Sequence, residues 1–235
     1  ISSLRSFYNY FYRNERIKNN PAALVRLPKL HDKEIIRLDV DEVALLLDEV
    51  EQGDKLTKKQ QEFHAKTKVR DLAILTLLLG TGIRVSECVG LNIADIDFKN
   101  GGIRIYRKGG KEVTVYFGEE VEEALLNYLE ERDRIIPAEG HEDALFLSLQ
   151  KKRIGVRSVE NLVKKYAKTV APLKPITPHK LRSTYGTTLY RETGDIYLVA
   201  DVLGHSDVNT TKRHYAALED ERRRSARNKV RLREK

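Results

Sequence analysis

Residues 102–117 read GIRIYRKGGKEVTVYF. Ile103 and Ile105 alternate with Arg104 and Tyr106, and Val113, Val115 and Phe117 alternate with Thr114 and Tyr116. An apolar side chain at every second position puts one face of an extended chain in a core and the other in water. Lys108-Gly109-Gly110-Lys111 between the two runs supplies turn chemistry, so the stretch is predicted to form an antiparallel β-hairpin. On both sides of it the apolar period is helical.

Upstream, Asp39 is a good N-cap with Glu42 three residues on, ahead of Val43, Leu46, Leu47 and Val50. Residues 53–68 are polar and predict a surface loop or an exposed helix. The run 69–79 reads as a buried helix closed by Gly80-Thr81-Gly82, and a short helix is expected over 83–89. Downstream, helical spacing predicts helices over 119–135, 157–170, 179–193, 195–203 and 208–220, with Gly194 and Gly204 placed to stop two of them. The fold class is therefore α+β, mainly helical with a small antiparallel β-sheet, and no internal repeat is visible.

The first 25 residues are different. Leu4, Phe7, Tyr8 and Phe11 lie at helical spacing within 3–18, and Asn20-Pro21 ends the pattern. One amphipathic helix without partners to bury its face reads as the tail of a preceding domain. Residues 26–34 read as a linker, 35–220 as the main domain and 221–235 as a basic tail. Methionine is absent even at position 1, so the chain is expected to begin inside a longer protein.

The 235 residues carry a net charge of +8, and 221–235 alone hold eight bases against two acids. Such an excess suits a polyanion, nucleic acid first, or else a solvated charged tail. The longest apolar run, 72–79, is far short of the roughly 20 residues that cross a bilayer. No signal-peptide layout opens the chain, so no membrane partner is expected. A single cysteine, Cys88, leaves no internal disulfide and no zinc framework, which points to a reducing cytoplasm. Neither metal ion nor cofactor is called for.

Four segments carry chemistry. In Gly80-Thr81-Gly82-Ile83-Arg84-Val85-Ser86-Glu87, the glycines allow a tight turn that sets Arg84 at a helix start; the plain alternative is a surface arginine paired with Glu87. In Pro178-His179-Lys180-Leu181-Arg182, spacing of three puts His179 and Arg182 on one helix face while Leu181 points to the core. Imidazole beside guanidinium suits a phosphate, which needs a proton carrier and a charge clamp. In Leu203-Gly204-His205, the glycine ends a helix and leaves His205 in the connection; Tyr215 follows on the next predicted helix. One tyrosine among 11 is by itself more often half-buried packing. The hairpin lysines, Lys108 and Lys111, are free to reach a phosphate, or are simply solvated.

Taken in order, Arg84, Lys108, His179, Arg182, His205 and Tyr215 resemble the catalytic set of the tyrosine recombinase, or phage integrase, family. That family has an arginine in Thr-Gly-x-Arg-x-Ser-Glu, a lysine in a Gly-Lys-Gly hairpin, a His-x-Leu-Arg box, a Leu-Gly-His box and a downstream tyrosine. The resemblance spans about 35–220. It implies the DNA breaking-rejoining catalytic fold, with residues 1–25 ending a core-binding domain. It also implies a reaction in which Tyr215 forms a 3′-phosphotyrosyl bond and strands exchange through a Holliday junction, with no metal or ATP. Glu87 is implied to prop Arg84 from behind it. Arg107, Lys111 and Lys180 are expected at the DNA. A homo-tetramer on two double-stranded sites, encoded by a bacterium, a phage or a mobile element, is the implied assembly. Two departures stand out. Arg107 precedes the lysine where relatives more often have glycine, which leaves Lys108 and Lys111 both open as the active lysine. Ser183 follows the His-x-Leu-Arg box where many relatives have a second histidine. Two alternatives share this residue set: a type IB topoisomerase and a DNA-binding regulator that no longer cleaves.

Overall fold

The structure, a computed structural model, describes residues 1–26, 36–107 and 110–205. The chain divides into two compact units, Ile1–Glu34 and Ile35–Lys235.

In the first unit, α1 (Ser2–Arg13) buries none of its residues. Phe7 and Phe11 meet one turn apart as a tilted ring pair, with centroids 4.7 Å from each other. The helix stops several residues before the expected 18. The Asn14 side chain folds back to donate to Tyr10 O at 2.8 Å, and Glu15 takes a left-handed φ of 55°. An asparagine that caps its own helix ended a pattern that apolar spacing alone had extended.

The second unit is built around α4 (Lys68–Thr81), whose Ala73, Ile74, Leu75, Leu77 and Leu78 are sealed from solvent. A helix apolar on nearly every side must be surrounded. Here α2 (Val40–Gln52), α6 (Glu119–Arg132), α7 (Val156–Val170) and α8 (Pro178–Thr193) pack against it. The Glu42 carboxylate accepts the Asp39 N–H at 2.8 Å, the N-terminal signal expected for α2. The polar stretch contains one short helix, α3 (Lys58–His64), capped by Thr57 and Gln60. Its His64 is buried, with Nε2 2.8 Å from Val50 O.

One buried carboxylate ties α4 to α7. Asp71 on α4 accepts from Thr67 Oγ1 at 2.9 Å, Arg70 Nη2 at 2.7 Å and the Tyr166 hydroxyl at 3.1 Å. Burial first, then the Asp71 charge, pushes the Tyr166 phenol well above its ordinary range, so it stays a donor.

The hairpin forms as predicted, from β2 (Gly102–Tyr106) and β3 (Glu112–Tyr116), with Ile103 opposite Val115 and Ile105 opposite Val113. A third strand, β1 (Ile96–Asp97), pairs antiparallel with β2 and gives the order β1-β2-β3. Two residues are too few to show a period, which is why the sequence did not reveal it. The sheet's inner face joins the core; Tyr106 and Tyr116 on the outer face are exposed. α5 (Val85–Gly90) follows α4, and α9 (Ile196–Leu203) follows α8. The helix expected over 208–220, the basic tail, most of the linker and the hairpin tip lie outside the described residues. Among the described residues, no helix is long and apolar enough to cross a membrane.

Candidate active site

Two left-handed glycines set the site. Gly82 caps α4 with φ 63°, and the Tyr185 ring lies directly over the space a Cβ would need. The sharp exit makes Arg84 the residue that starts α5. Glu87 then holds Arg84 twice: Oε2 accepts its N–H at 2.7 Å, and Oε1 accepts from Nη1 at 2.8 Å. Of this pair, the Glu87 side chain is 5% exposed and that of Arg84 is 41% exposed. The carboxylate is therefore buried behind a guanidinium that still faces solvent. Both readings of the sequence describe this geometry: the pair exists, and it leaves the arginine presentable.

Gly204 caps α9 with φ 61°. Its N–H donates to Asp201 O at 2.8 Å, and the His205 N–H donates to Ala200 O at 2.9 Å. These bonds close the helix and leave His205 half-buried just beyond it.

Arg182 lies in the second turn of α8 and is buried. Its guanidinium donates to Gly82 O through Nη1 and to Leu203 O through Nη2, so it bridges the two glycine turns. Arg84 Nη2 reaches Gly204 O at 3.3 Å. Arg107, at the end of β2, donates through Nη2 to Val202 O at 2.6 Å and through Nη1 to Asp201 O at 3.3 Å. Carbonyls 201 to 204 thus receive three guanidinium groups brought from α5, β2 and α8. A helix C-terminus concentrates partial negative charge and unpaired carbonyls, so it can hold like charges together that would otherwise repel. At Arg107, burial lowers the pKa most, the Glu87 carboxylate acts against that, and the Arg84 charge lowers it by a smaller amount.

His179 opens α8 on the same face as Arg182, one turn away, and is exposed at the rim. Partial loss of water around its ring, then the charges of Lys180 and Arg182, push its pKa below the ordinary imidazole value. Its carbonyl accepts the Ser183 hydroxyl at 3.1 Å, so the residue that replaces the second histidine serves the helix backbone. Lys111 is exposed on the hairpin, and Lys180 is half-exposed in the first turn of α8. Lys108 and Tyr215 lie outside the described residues.

The expected residues Arg84, Glu87, Arg182 and His205 therefore meet around one helix end, with His179 beside Arg182. Sequence reasoning missed the acceptors. Backbone carbonyls carry no side-chain signature, and only the helix-stopping Gly204 hinted at where they would lie. It also missed that Arg107 turns inward onto α9. Among the described residues, no group of His, Cys, Asp and Glu side chains is arranged to hold a metal ion.

A fold of this kind, with an arginine pair clamped between two glycine turns, defines a class. The sequence model of the phage integrase family matches residues 36–222, and the chain belongs to that family. Tyrosine recombinase XerC of Caldanaerobacter subterraneus subsp. tengcongensis is 39% identical over 97% of this chain and 61% of its own length. Tyrosine recombinase XerC of Thermodesulfovibrio yellowstonii is 38% identical over 90% of this chain and 68% of its own length. The chain thus spans about two thirds of the length of these relatives. Among solved structures, the XerH site-specific recombinase bound to its palindromic difH substrate, a post-cleavage complex, superposes with a TM-score of 0.74 at 21% identity. That match covers 93% of this chain and 63% of that one, and it shows the shared fold.

Proposed function

We propose that this chain is the catalytic part of a site-specific DNA recombinase that cleaves and rejoins strands through a 3′-phosphotyrosyl intermediate. The observation that carries the reading is the meeting of Arg84 and Arg182 at the α9 terminus, immediately before His205. Two guanidinium groups and an imidazole gathered at one helix end are donors of the kind that clamp the non-bridging oxygens of a phosphodiester. The XerH structure supports DNA as the ligand, since that protein holds its difH substrate on the same fold.

In this reading the Tyr215 oxygen attacks phosphorus as the bond to the 5′-oxygen breaks. The phenol proton passes to His179, and the departing 5′-oxygen takes a proton from Lys108. Phenol has a pKa near 10, so a base is needed at neutral pH. Charge growing on the phosphate oxygens falls to Arg84, Arg182 and His205. The phosphotyrosyl bond keeps the energy of the broken phosphodiester, so a 5′-hydroxyl from a partner strand reverses the step without ATP. Lys111 and Lys180 are read as contacts to flanking phosphates. Residues 1–25 are read as the end of a preceding core-binding domain, 26–34 as linker, 35–220 as the catalytic domain and 221–235 as a DNA-tracking or partner-docking tail. Assembly as a homo-tetramer on two sites, in the cytoplasm, completes the proposal.

The test is a duplex nicked beside the cleavage point, from which the short 5′-hydroxyl fragment diffuses away and traps the intermediate. Protein–DNA adduct that survives denaturation, formed in chelator and without ATP, is the expected product. Absence of adduct on the protein's own recombination site would sink the reading in favour of a non-cleaving regulator. Relaxed plasmid without recombinants would favour a topoisomerase.

The rate of adduct formation should also report His179. A base must be unprotonated to act, and here the folded pKa is depressed below 6.5. The rate should therefore be flat through neutral pH and fall on the acid side only below 6.5. His179→Gln should lower the plateau and remove that limb. A limb that survives the substitution would remove His179 from the role.

A further inference from the structure

Arg107 occupies the position before the hairpin lysine, and its half-buried side chain lies on the end of α9. Both terminal nitrogens donate to carbonyls of the last turn of α9, at Val202 O and Asp201 O. Its Nε is buried, with no hydrogen-bond partner among the described residues. The guanidinium lies flat on Gly204, in the space that a side chain there would fill. On the backbone side, the Arg107 N–H donates to Lys111 O at 2.9 Å and its carbonyl accepts from Gly110 N at 3.1 Å. One residue is thus fixed to the root of the hairpin by its backbone and to the Gly204-His205 turn by its side chain.

We propose that Arg107 is a positioning residue whose guanidinium braces the Gly204-His205 turn against the end of β2 and so sets where His205 meets the phosphate. This rests on the recombinase reading for its consequence, though not for the brace itself. Direct contact with DNA is the competing role, and the salt dependence of binding distinguishes it. Nη1 and Nη2 are each anchored on a carbonyl of the helix end, and Nε is enclosed, so the side chain is held on the turn. Partial burial works against its charge, and the Glu87 carboxylate offsets part of that cost. Glycine at this position, as in many relatives, would leave the α9 terminus without these two bonds.

A double-mutant cycle on covalent adduct formation, with the full chain and a nicked duplex, separates the roles. Arg107→Ala should slow adduct formation between about 10- and 100-fold, the usual cost of misplacing a group by a fraction of an ångström to one ångström. In a His205→Ala background the same change should cost less than about threefold, because the group it positions is already gone. A merely structural residue would multiply its effect in both backgrounds. In the ligand-free protein, hydrogen exchange at the Gly204 and His205 amides should quicken in Arg107→Ala, while exchange in α4 stays as in the wild type. Full multiplicativity in the cycle, unchanged exchange at the turn, or a loss of one phosphate's worth of salt dependence in DNA binding would each overturn the brace. If the wild type forms no adduct at all, the recombinase reading fails, and the exchange comparison alone still decides whether the brace exists.

Discussion

Arg182→Ala is expected to lower the rate of covalent adduct formation by about 10²–10³-fold, the usual cost of removing one donor from a preorganised charge clamp. It should destabilise the fold as well. The side chain is 6% exposed and spans from Gly82 O to Leu203 O, so alanine leaves two enclosed carbonyls without their donor. Each such loss costs about 1–3 kcal/mol, and in a domain of this size each kcal/mol shifts Tm by roughly 2–4 °C. The two effects separate by temperature: rates measured well below the lowered Tm keep the catalytic deficit, and calorimetry reads the structural one. Arg84→Ala should show a similar rate loss and should also lower Tm, since it leaves the buried Glu87 carboxylate without its guanidinium partner. Adduct formation within about threefold of wild type, by a folded Arg182→Ala protein, would remove the clamp from the mechanism.

The contrast between these two arginines follows from where each sits in the chain. Arg84 caps the start of α5 two residues after a left-handed glycine and is held by Glu87 of that helix. Arg182 points inward from the second turn of α8 and donates to backbone carbonyls of two distant turns. The first arrangement was legible in the sequence, because glycine, arginine and a glutamate three residues on spell out a turn and a helix start. The second was legible only as far as the shared face of His179 and Arg182. What Arg182 touches was not, because its acceptors are carbonyls at positions distant in sequence.

The same division runs through the fold. Periods of 2 and 3.6 survive in any stretch long enough to repeat, so the hairpin and the long helices could be read directly. β1 is two residues long and shows no period. The end of α1 depends on an asparagine side chain bonding its own helix, a local event that apolar spacing does not register. Cationic clusters behave like β1 rather than like helices. Arg84, Arg107 and Arg182 are separated by tens of residues, and the shared α9 terminus, with the Glu87 carboxylate, explains why three like charges converge. Those carbonyls neutralise the cluster in part, so the arginines stay together without a ligand. In the proposed function that is preorganisation: the reorganisation needed to stabilise a phosphate in the transition state is completed at folding.

Tyr215→Phe should abolish the adduct entirely, since phenylalanine has no oxygen to join to phosphorus, while DNA affinity and Tm stay near their wild-type values. The structure makes this a demanding prediction by showing what the other tyrosines do. Tyr128, Tyr166 and Tyr190 are buried, and burial raises the phenols of Tyr128 and Tyr166 further from ionisation. Tyr106 and Tyr116 face outward from the sheet, and Tyr8, Tyr10 and Tyr12 belong to the first unit. Two decoys are left. Tyr185 follows Arg182 by one turn, but its ring is spent against Gly82 and burial pushes its pKa up. Tyr197 is 64% exposed, yet it begins α9, whereas the guanidinium groups gather at the other end. Seven residues at 1.5 Å of rise separate Tyr197 from Gly204 by about 10 Å, too far for an attacking oxygen. Tyr185→Phe and Tyr197→Phe should therefore form adduct at close to the wild-type rate. Peptide mapping of the trapped complex should place the nucleotide on Tyr215 alone, and label on either decoy would move the nucleophile and with it the geometry of attack.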